Sequence, residues 1–162
     1  MKYYTNYPSP LGVISIASDG THITGLWIEN QKHFALPPNS AEGADIPALQ
    51  QAKCWLDAYF SGIVLPIADI PLLPSGTKFQ MQVWDILMKI PYGETVTYGQ
   101  IASMLGKGSM SAQAVGNAVG RNPISILIPC HRVVGKDGSL TGYAGGIDKK
   151  AYLLQLERSS KQ

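Results

Sequence analysis

The chain has 162 residues, 45% hydrophobic and 15% charged, an ordinary globular composition that excludes a disordered chain and suffices for one good core or two small ones. No apolar run approaches a membrane span, Met1 to Tyr7 lacks the apolar stretch of a secretion signal, and two cysteines, Cys54 and Cys130, can build neither a disulfide framework nor a zinc cluster, so a soluble cytoplasmic protein is expected. The net charge of +2 hides an asymmetry: residues 1–75 carry three Lys/Arg against six Asp/Glu and residues 76–162 carry ten against five, as expected when a basic module meets a polyanion such as DNA, with plain solubility the alternative.

The N-terminal stretch predicts short strands, Gly12-Val13-Ile14-Ser15-Ile16-Ala17 and Ile23-Thr24-Gly25-Leu26-Trp27-Ile28, parted by Asp19-Gly20 as in a hairpin or meander. Residues 36–47 read as a loop. Ile46 to Phe60 shows helical spacing at Leu49, Lys53, Leu56 and Phe60, which places Cys54 in a helix with no chemistry to do. Pro66, Pro71 and Pro74 make Ile63 to Gly76 an extended linker, since each removes a donor and fixes φ. A boundary there divides the chain into domains 1–75 and 76–162.

Beyond the linker, Thr77 and Gln80 have the form of a capping box and open a helix with an apolar stripe at Phe79, Val83, Leu87 and Ile90, ended by Pro91-Tyr92-Gly93. A second capping box, Thr97 to Gln100, opens a short helix through Leu105, with Gly106 to Ser109 as its turn. A third helix, Ser111 to Gly120, turns Val115 and Val119 inward and is otherwise built of small residues. The pair reads as a helix-turn-helix. Ile124-Ser125-Ile126-Leu127-Ile128 is short and β-branched and predicts a buried strand leading into Pro129-Cys130-His131-Arg132. Lys136 to Ser139 is a turn, Gly142 to Gly146 a glycine-rich loop around Tyr143, and Asp148 caps a final helix to about Arg158.

Cys130 follows an apolar run and a proline and precedes His131 and Arg132, cationic groups that favour a thiolate when they lie close. That is the setting of a nucleophile; a buried structural cysteine is the alternative. In extended backbone Cys130 and His131 would point to opposite sides, so the histidine would act through a water rather than by direct pairing. Glu157, three residues after Leu154 and four after Leu153, falls on the apolar face of the last helix and needs a partner. His131 is one candidate, giving a Cys, water, His, Glu relay, and a surface lysine or arginine at the helix end is the other.

The string Ile128-Pro129-Cys130-His131-Arg132-Val133 resembles the active-site motif of the O6-alkylguanine-DNA alkyltransferases. Phe79-Gln80 with Val83-Trp84, Pro91-Tyr92-Gly93-Glu94-Thr95, Tyr98-Gly99, Ala114-Val115-Gly116, Asn122-Pro123, Gly142-Tyr143-Ala144-Gly145-Gly146 and Leu153-Leu154 with Glu157 extend the resemblance at matching spacings. It implies an α+β chain, an RNase H-like N-terminal α/β domain followed by a mainly helical winged helix-turn-helix domain that enters the minor groove and flips the damaged base. The small residues of the third helix independently suit close approach to a DNA backbone.

The resemblance further implies methylated-DNA–protein-cysteine methyltransferase activity: an SN2 transfer of the alkyl group from O6-alkylguanine in double-stranded DNA to Cys130, irreversible, once per molecule, with no metal or cofactor. His131 would be the water-linked base, Glu157 its orienting group and Asn122 the support of the active-site turn. Tyr98 would bond the guanine edge and assist proton delivery. Main-chain groups near Cys130, Val133 and Ala144 would read the base, with Gly145 beside them, and Tyr143 would wall its pocket. Ala112, Gln113, Ala114, Gly116, Arg121 and Arg132 would meet DNA. Gln113 departs from the common pattern, which has an arginine filling the stack vacated by the flipped base.

A monomer is expected, with cooperative binding along DNA and activity on O4-alkylthymine open. Two rivals stand beside this reading: a non-catalytic sensor of alkyl damage, against which Cys130 argues, and a cysteine hydrolase, to which neither the adjacent Cys-His pair nor the basic half gives any advantage.

Overall fold

The computed structural model describes residues 2–106 and 111–160. These form two compact units, one of residues 2–75 with 123–127 and one of residues 76–106 and 111–122 with 128–160. Residues 107–109 of the turn expected at Gly106 to Ser109 lie outside the described residues.

In the first unit, β1 (Tyr3–Ser9), β2 (Gly12–Ser18) and β3 (Ile23–Ile28) form an antiparallel meander, and the two-residue strand β4 (Ala41–Glu42) adds in parallel beside β1, in the order β3-β2-β1-β4. The loop expected over 36–47 thus contains one short paired segment. Alternation sets the buried face: Thr5 and Tyr7 of β1, Ile14 and Ile16 of β2. Gly25 lies under the Trp27 ring, where a Cβ would stand 2.1 Å from a ring carbon, so only glycine fits there.

Helix α1 (Pro47–Phe60) begins with proline in its first turn, where the missing N–H has no intrahelical partner to lose. Its buried residues are Ala48, Leu49, Ala52, Trp55, Leu56 and Tyr59, so the face is broader than the Leu49, Leu56 and Phe60 spacing suggested and excludes Lys53. Tyr7 ties β1 to α1 through a hydrogen bond donated to Asp57 Oδ1 at 2.6 Å. The proline-rich segment is pinned, with Ile23 N donating to Pro71 O at 2.7 Å and Leu73 N to Ile23 O at 2.8 Å, and it is not extended throughout, because Ile70 N closes a turn on Ile67 O at 3.0 Å.

The run Ile124 to Ile128 is not a strand. Only Ile124 bridges, to Leu26 in parallel, and the chain then turns, with Ile126 at φ 69°. Long-range hydrogen bonds override its β-branched composition: Leu26 N donates to Pro123 O, Ser125 N to Leu26 O, and Ser125 Oγ to Gln31 Oε1. Each isoleucine is buried nonetheless, so the apolar run correctly marks core while its geometry is set by its neighbours.

The second unit contains α2 (Lys78–Leu87), β5 (Val96–Thr97), α3 (Tyr98–Met104), α4 (Ala112–Gly120), β6 (Val133–Val134) and α5 (Ile147–Ser160). Both capping boxes are present, with Thr77 and Thr97 accepting from the backbone of Gln80 and Gln100 and the glutamine side chains returning the bond. Ser111 caps α4 through Ala114 N. The core joins Val83, Trp84 and Leu87 of α2 to Val115, Ala118 and Val119 of α4, with Trp84 Nε1 donating to Ala118 O at 2.8 Å. β5 and β6 pair in parallel, Val96 with Val133 and Thr97 with Val134. Asp148 lies inside the first turn of α5 rather than at its cap, where its charge suits the helix N-terminus.

Candidate active site

Cys130 opens a single 3₁₀ turn, Cys130–Arg132, rather than continuing a strand. Cys130 N donates to Ile128 O at 2.7 Å, Arg132 N to Pro129 O at 3.0 Å, and Val133 N to Cys130 O. Asn122 closes the arrangement, its Nδ2 donating at 2.8 Å to the same Ile128 carbonyl. Both Cys130 and Asn122 are buried, so the thiol sits on a turn held at each end by buried hydrogen bonds. Because the turn is helical, the opposed directions expected of Cys130 and His131 in extended backbone do not apply.

Behind the turn stands one carboxylate with several donors. Glu157 Oε2 receives His131 Nε2 at 2.6 Å and Arg132 Nη2 at 3.1 Å, while Oε1 receives Arg132 Nε at 2.8 Å and Gly93 N at 3.1 Å. Of the two partners left open for Glu157, His131 is the one found; the arginine that joins it is the buried Arg132, not a surface lysine or arginine at the helix end. Burial alone would raise the Glu157 carboxyl, but the hydrogen bonds from His131 and Arg132 and the charge of Arg132 prevail and hold it well below the usual carboxylate range. Burial drives His131 the other way, lowering its proton affinity against the pull of Glu157 and so favouring the uncharged ring. With Glu157 ionised, the His131 proton rests on Nε2, and Nδ1 holds the lone pair a base needs.

Arg132, expected to meet DNA, is 8% exposed, with Nη1 donating to Ile90 O at 2.7 Å and the guanidinium 5.6 Å from the centre of the Tyr92 ring. Three of its five N–H donors are taken inside the unit, and its burial sets it apart from the exposed Ala112, Gln113 and Arg121. The buried carboxylate opposite outcompetes solvent for a planar fork of donors.

On the other side of Cys130 lie Tyr98 and Lys150. The Tyr98 hydroxyl donates to Thr141 O at 3.0 Å, and Lys150 Nζ donates to the same carbonyl at 2.9 Å with its charge 5.9 Å from the Tyr98 ring centre. Lys150 is 1% exposed. Burial lowers its pKa to about 8 against the opposing pull of negative charge at Cys130, and burial likewise raises Tyr98. Sequence reasoning missed Lys150, yet the signal was present: at three and four residues before Leu153 and Leu154, it shares the α5 face with Glu157.

The remaining expected residues divide into two groups. Tyr143 and Gly145 are buried and Ala144 half-buried, in the loop that Thr141 anchors; Val133 is buried, with its N–H committed to Cys130 O. Ala112, Gln113 and Arg121 are exposed on or just beyond α4, and Ala114 and Gly116 are half-buried. A Cβ at Gly116 would make only an ordinary contact with the Tyr98 ring, at 3.7 Å, so an alanine would fit there too. Cys54 is exposed on α1, outside the unit that holds Cys130. Among the described residues no group of three or more His, Cys, Asp or Glu side chains could hold a metal ion, and no helix is long and apolar enough to cross a membrane.

Two family models cover nearly all of the chain: the ribonuclease-like domain of 6-O-methylguanine DNA methyltransferase matches residues 2–74 and its DNA binding domain residues 78–159. The methylated-DNA–protein-cysteine methyltransferase of Haemophilus influenzae is 46% identical over 156 residues, covering 96% of this chain and 86% of the relative. That of Methanosarcina acetivorans is 44% identical over 158 residues, covering 97% and 99%. Among solved structures, Mycobacterium tuberculosis OGT in complex with DNA superposes with a TM-score of 0.88 at 42% identity, covering 98% of this chain and 94% of that one. A Methanococcus jannaschii O6-methylguanine DNA methyltransferase gives 0.70 at 30% identity, covering 95% and 93%. With an RNase H-like unit, a helix-turn-helix unit and a buried Cys-His-Glu cluster in one chain, the protein belongs to the 6-O-methylguanine DNA methyltransferase family.

Proposed function

We propose that this chain repairs alkylated DNA by moving the alkyl group from O6 of guanine onto the sulfur of Cys130, once per molecule and without a cofactor. DNA alkyl repair by a methylated-DNA–protein-cysteine methyltransferase follows from family membership. The finer reading rests on one observation: a buried cysteine is followed by a histidine whose Nε2 is fixed to an ionised carboxylate at 2.6 Å. That geometry makes His131 Nδ1 an acceptor, through water, for the Cys130 proton.

The thiolate then attacks the alkyl carbon in line with the C–O bond, a C–S bond forms as the C–O bond breaks, and the electron pair leaves with guanine O6. A proton delivered to the leaving base, with Tyr98 as the candidate donor, yields guanine. The thioether has no leaving route, so the molecule is spent. Residues 76–122 with 128–160 carry both DNA contact and acceptor chemistry, and the flipped base enters between Cys130 and the Tyr143-Ala144-Gly145 loop. Approach is from the minor groove through α4, whose exposed Ala112 and Gln113 meet the strand together with Arg121 just beyond it, while Gln113 enters the vacated stack.

Titrating an O6-methylguanine duplex against the protein tests the stoichiometry. Repaired duplex should rise in proportion to protein and stop at one per molecule. Continued repair in excess duplex would contradict it.

A further inference from the structure

Within the relay just described, one charge has no assigned task. Arg132 is permanently cationic and buried, and it places Nε on Glu157 Oε1 at 2.8 Å and Nη2 on Oε2 at 3.1 Å, the oxygen that also receives His131 Nε2. A third donor goes to Ile90 O at 2.7 Å, so the fork is fixed at both ends.

We propose that Arg132 is a positioning residue of the relay, holding Glu157 by two oxygens and balancing its charge so that His131 stays uncharged until Cys130 releases a proton. The inference rests on the alkyl-transfer reading for its purpose, but its physical content is a count of charges. With His131 neutral, Arg132 and Glu157 sum to zero. A proton on His131 would then leave one uncompensated positive charge among side chains that are 0%, 8% and 1% exposed, which is costly in a low-dielectric interior. Remove Arg132 and the balance inverts: Glu157 then faces His131 alone, and the neutral combination is carboxylate with imidazolium.

The other groups around His131 do not reverse this. Lys150 on α5 adds positive charge and opposes protonation, Tyr92 in the 91–93 turn is an uncharged phenol, and Cys130 becomes negative only when its proton leaves. The relay is therefore set to take a proton together with formation of the thiolate, when the two new charges cancel.

The test uses the full chain. The charge state of His131 is read by imidazole nitrogen NMR against pH, alongside the pH dependence of methyl transfer from an O6-methylguanine duplex. In the unmodified protein His131 should be the uncharged Nε2–H tautomer at pH 6. Arg132→Met should raise the pH at which His131 takes a proton by at least about one unit, with the acid limb of the rate profile moving equally. Arg132→Lys, which keeps the cation but not the fork, should move it by less than half as much.

An imidazolium at pH 6 in the unmodified protein overturns the proposal without any variant. So does an unmoved His131 titration in folded Arg132→Met, or an equal shift in both variants. Absence of transfer in the unmodified protein would instead sink the repair reading, while the NMR titration would still decide the role of Arg132.

Discussion

Replacing Glu157 by Gln is expected to destabilise the protein by about 3 kcal/mol, the lower end of the roughly 3–5 kcal/mol lost when one member of a buried ion pair is removed. The carboxylate accepts four hydrogen bonds, from His131, Gly93 and twice from Arg132. A glutamine oxygen can still accept from one side. Its amide then turns two N–H donors toward donors already there, and Arg132 keeps a charge without a counterion. The lower figure applies because Arg132 retains Ile90 O and the Tyr92 ring. For a chain of 162 residues, about 2–4 °C per kcal/mol converts this to a fall of roughly 6–12 °C in melting temperature. Calorimetry of the two proteins at pH 7.5 measures it. A fall below about 2 °C would show that the cluster carries no net stability and that the buried-pair reasoning fails here.

Acid should unfold the protein in two stages. His131 has its proton affinity lowered by folding, so the unfolded chain binds that proton first and stability declines as pH falls below the ordinary value of 6.5. Glu157 is also held low, so its contribution is complete above 4.5 and is lost as pH falls further. Denaturant midpoints against pH should lose their first decline in His131→Gln, and an identical curve would refute the assignment. Cys130→Ser should abolish transfer while still binding alkylated duplex, and Cys54→Ser should transfer normally; transfer by the first variant, or its loss in a folded form of the second, contradicts the choice of acceptor. Gln113→Arg should tighten duplex binding and steepen its salt dependence by up to about one phosphate equivalent, whereas Gln113→Ala should weaken duplex repair more than reaction with free O6-benzylguanine. Equal losses on both substrates would remove Gln113 from the intercalating role.

What the sequence made legible was local chemistry. The Thr77–Gln80 and Thr97–Gln100 boxes are decided by residues within one helical turn of each other, and each forms as read. The placement of Glu157 on the buried face of α5 follows from helical period alone. Illegible were features decided by distant partners. Ile124 to Ile128 has strand composition, but hydrogen bonds with Leu26 and Gln31, nearly a hundred residues away, make it a series of turns (Ser125 and Gln31 are separated by 94). Arg132 reads from its neighbours as a charge beside a nucleophile, and only the fold brings Glu157 and Ile90 to its fork. β4 is two residues long and exists because β1 offers it an edge, so no alternation could announce it.

If Cys130 receives the alkyl group, peptide mass spectrometry after mixing the protein with an O6-methylguanine duplex should find one methyl group on the peptide containing Cys130, stable to prolonged incubation, with the Cys54 peptide unchanged and guanine restored in the duplex. A repaired duplex with no methyl on Cys130, or a methyl on Cys54 instead, would contradict that assignment.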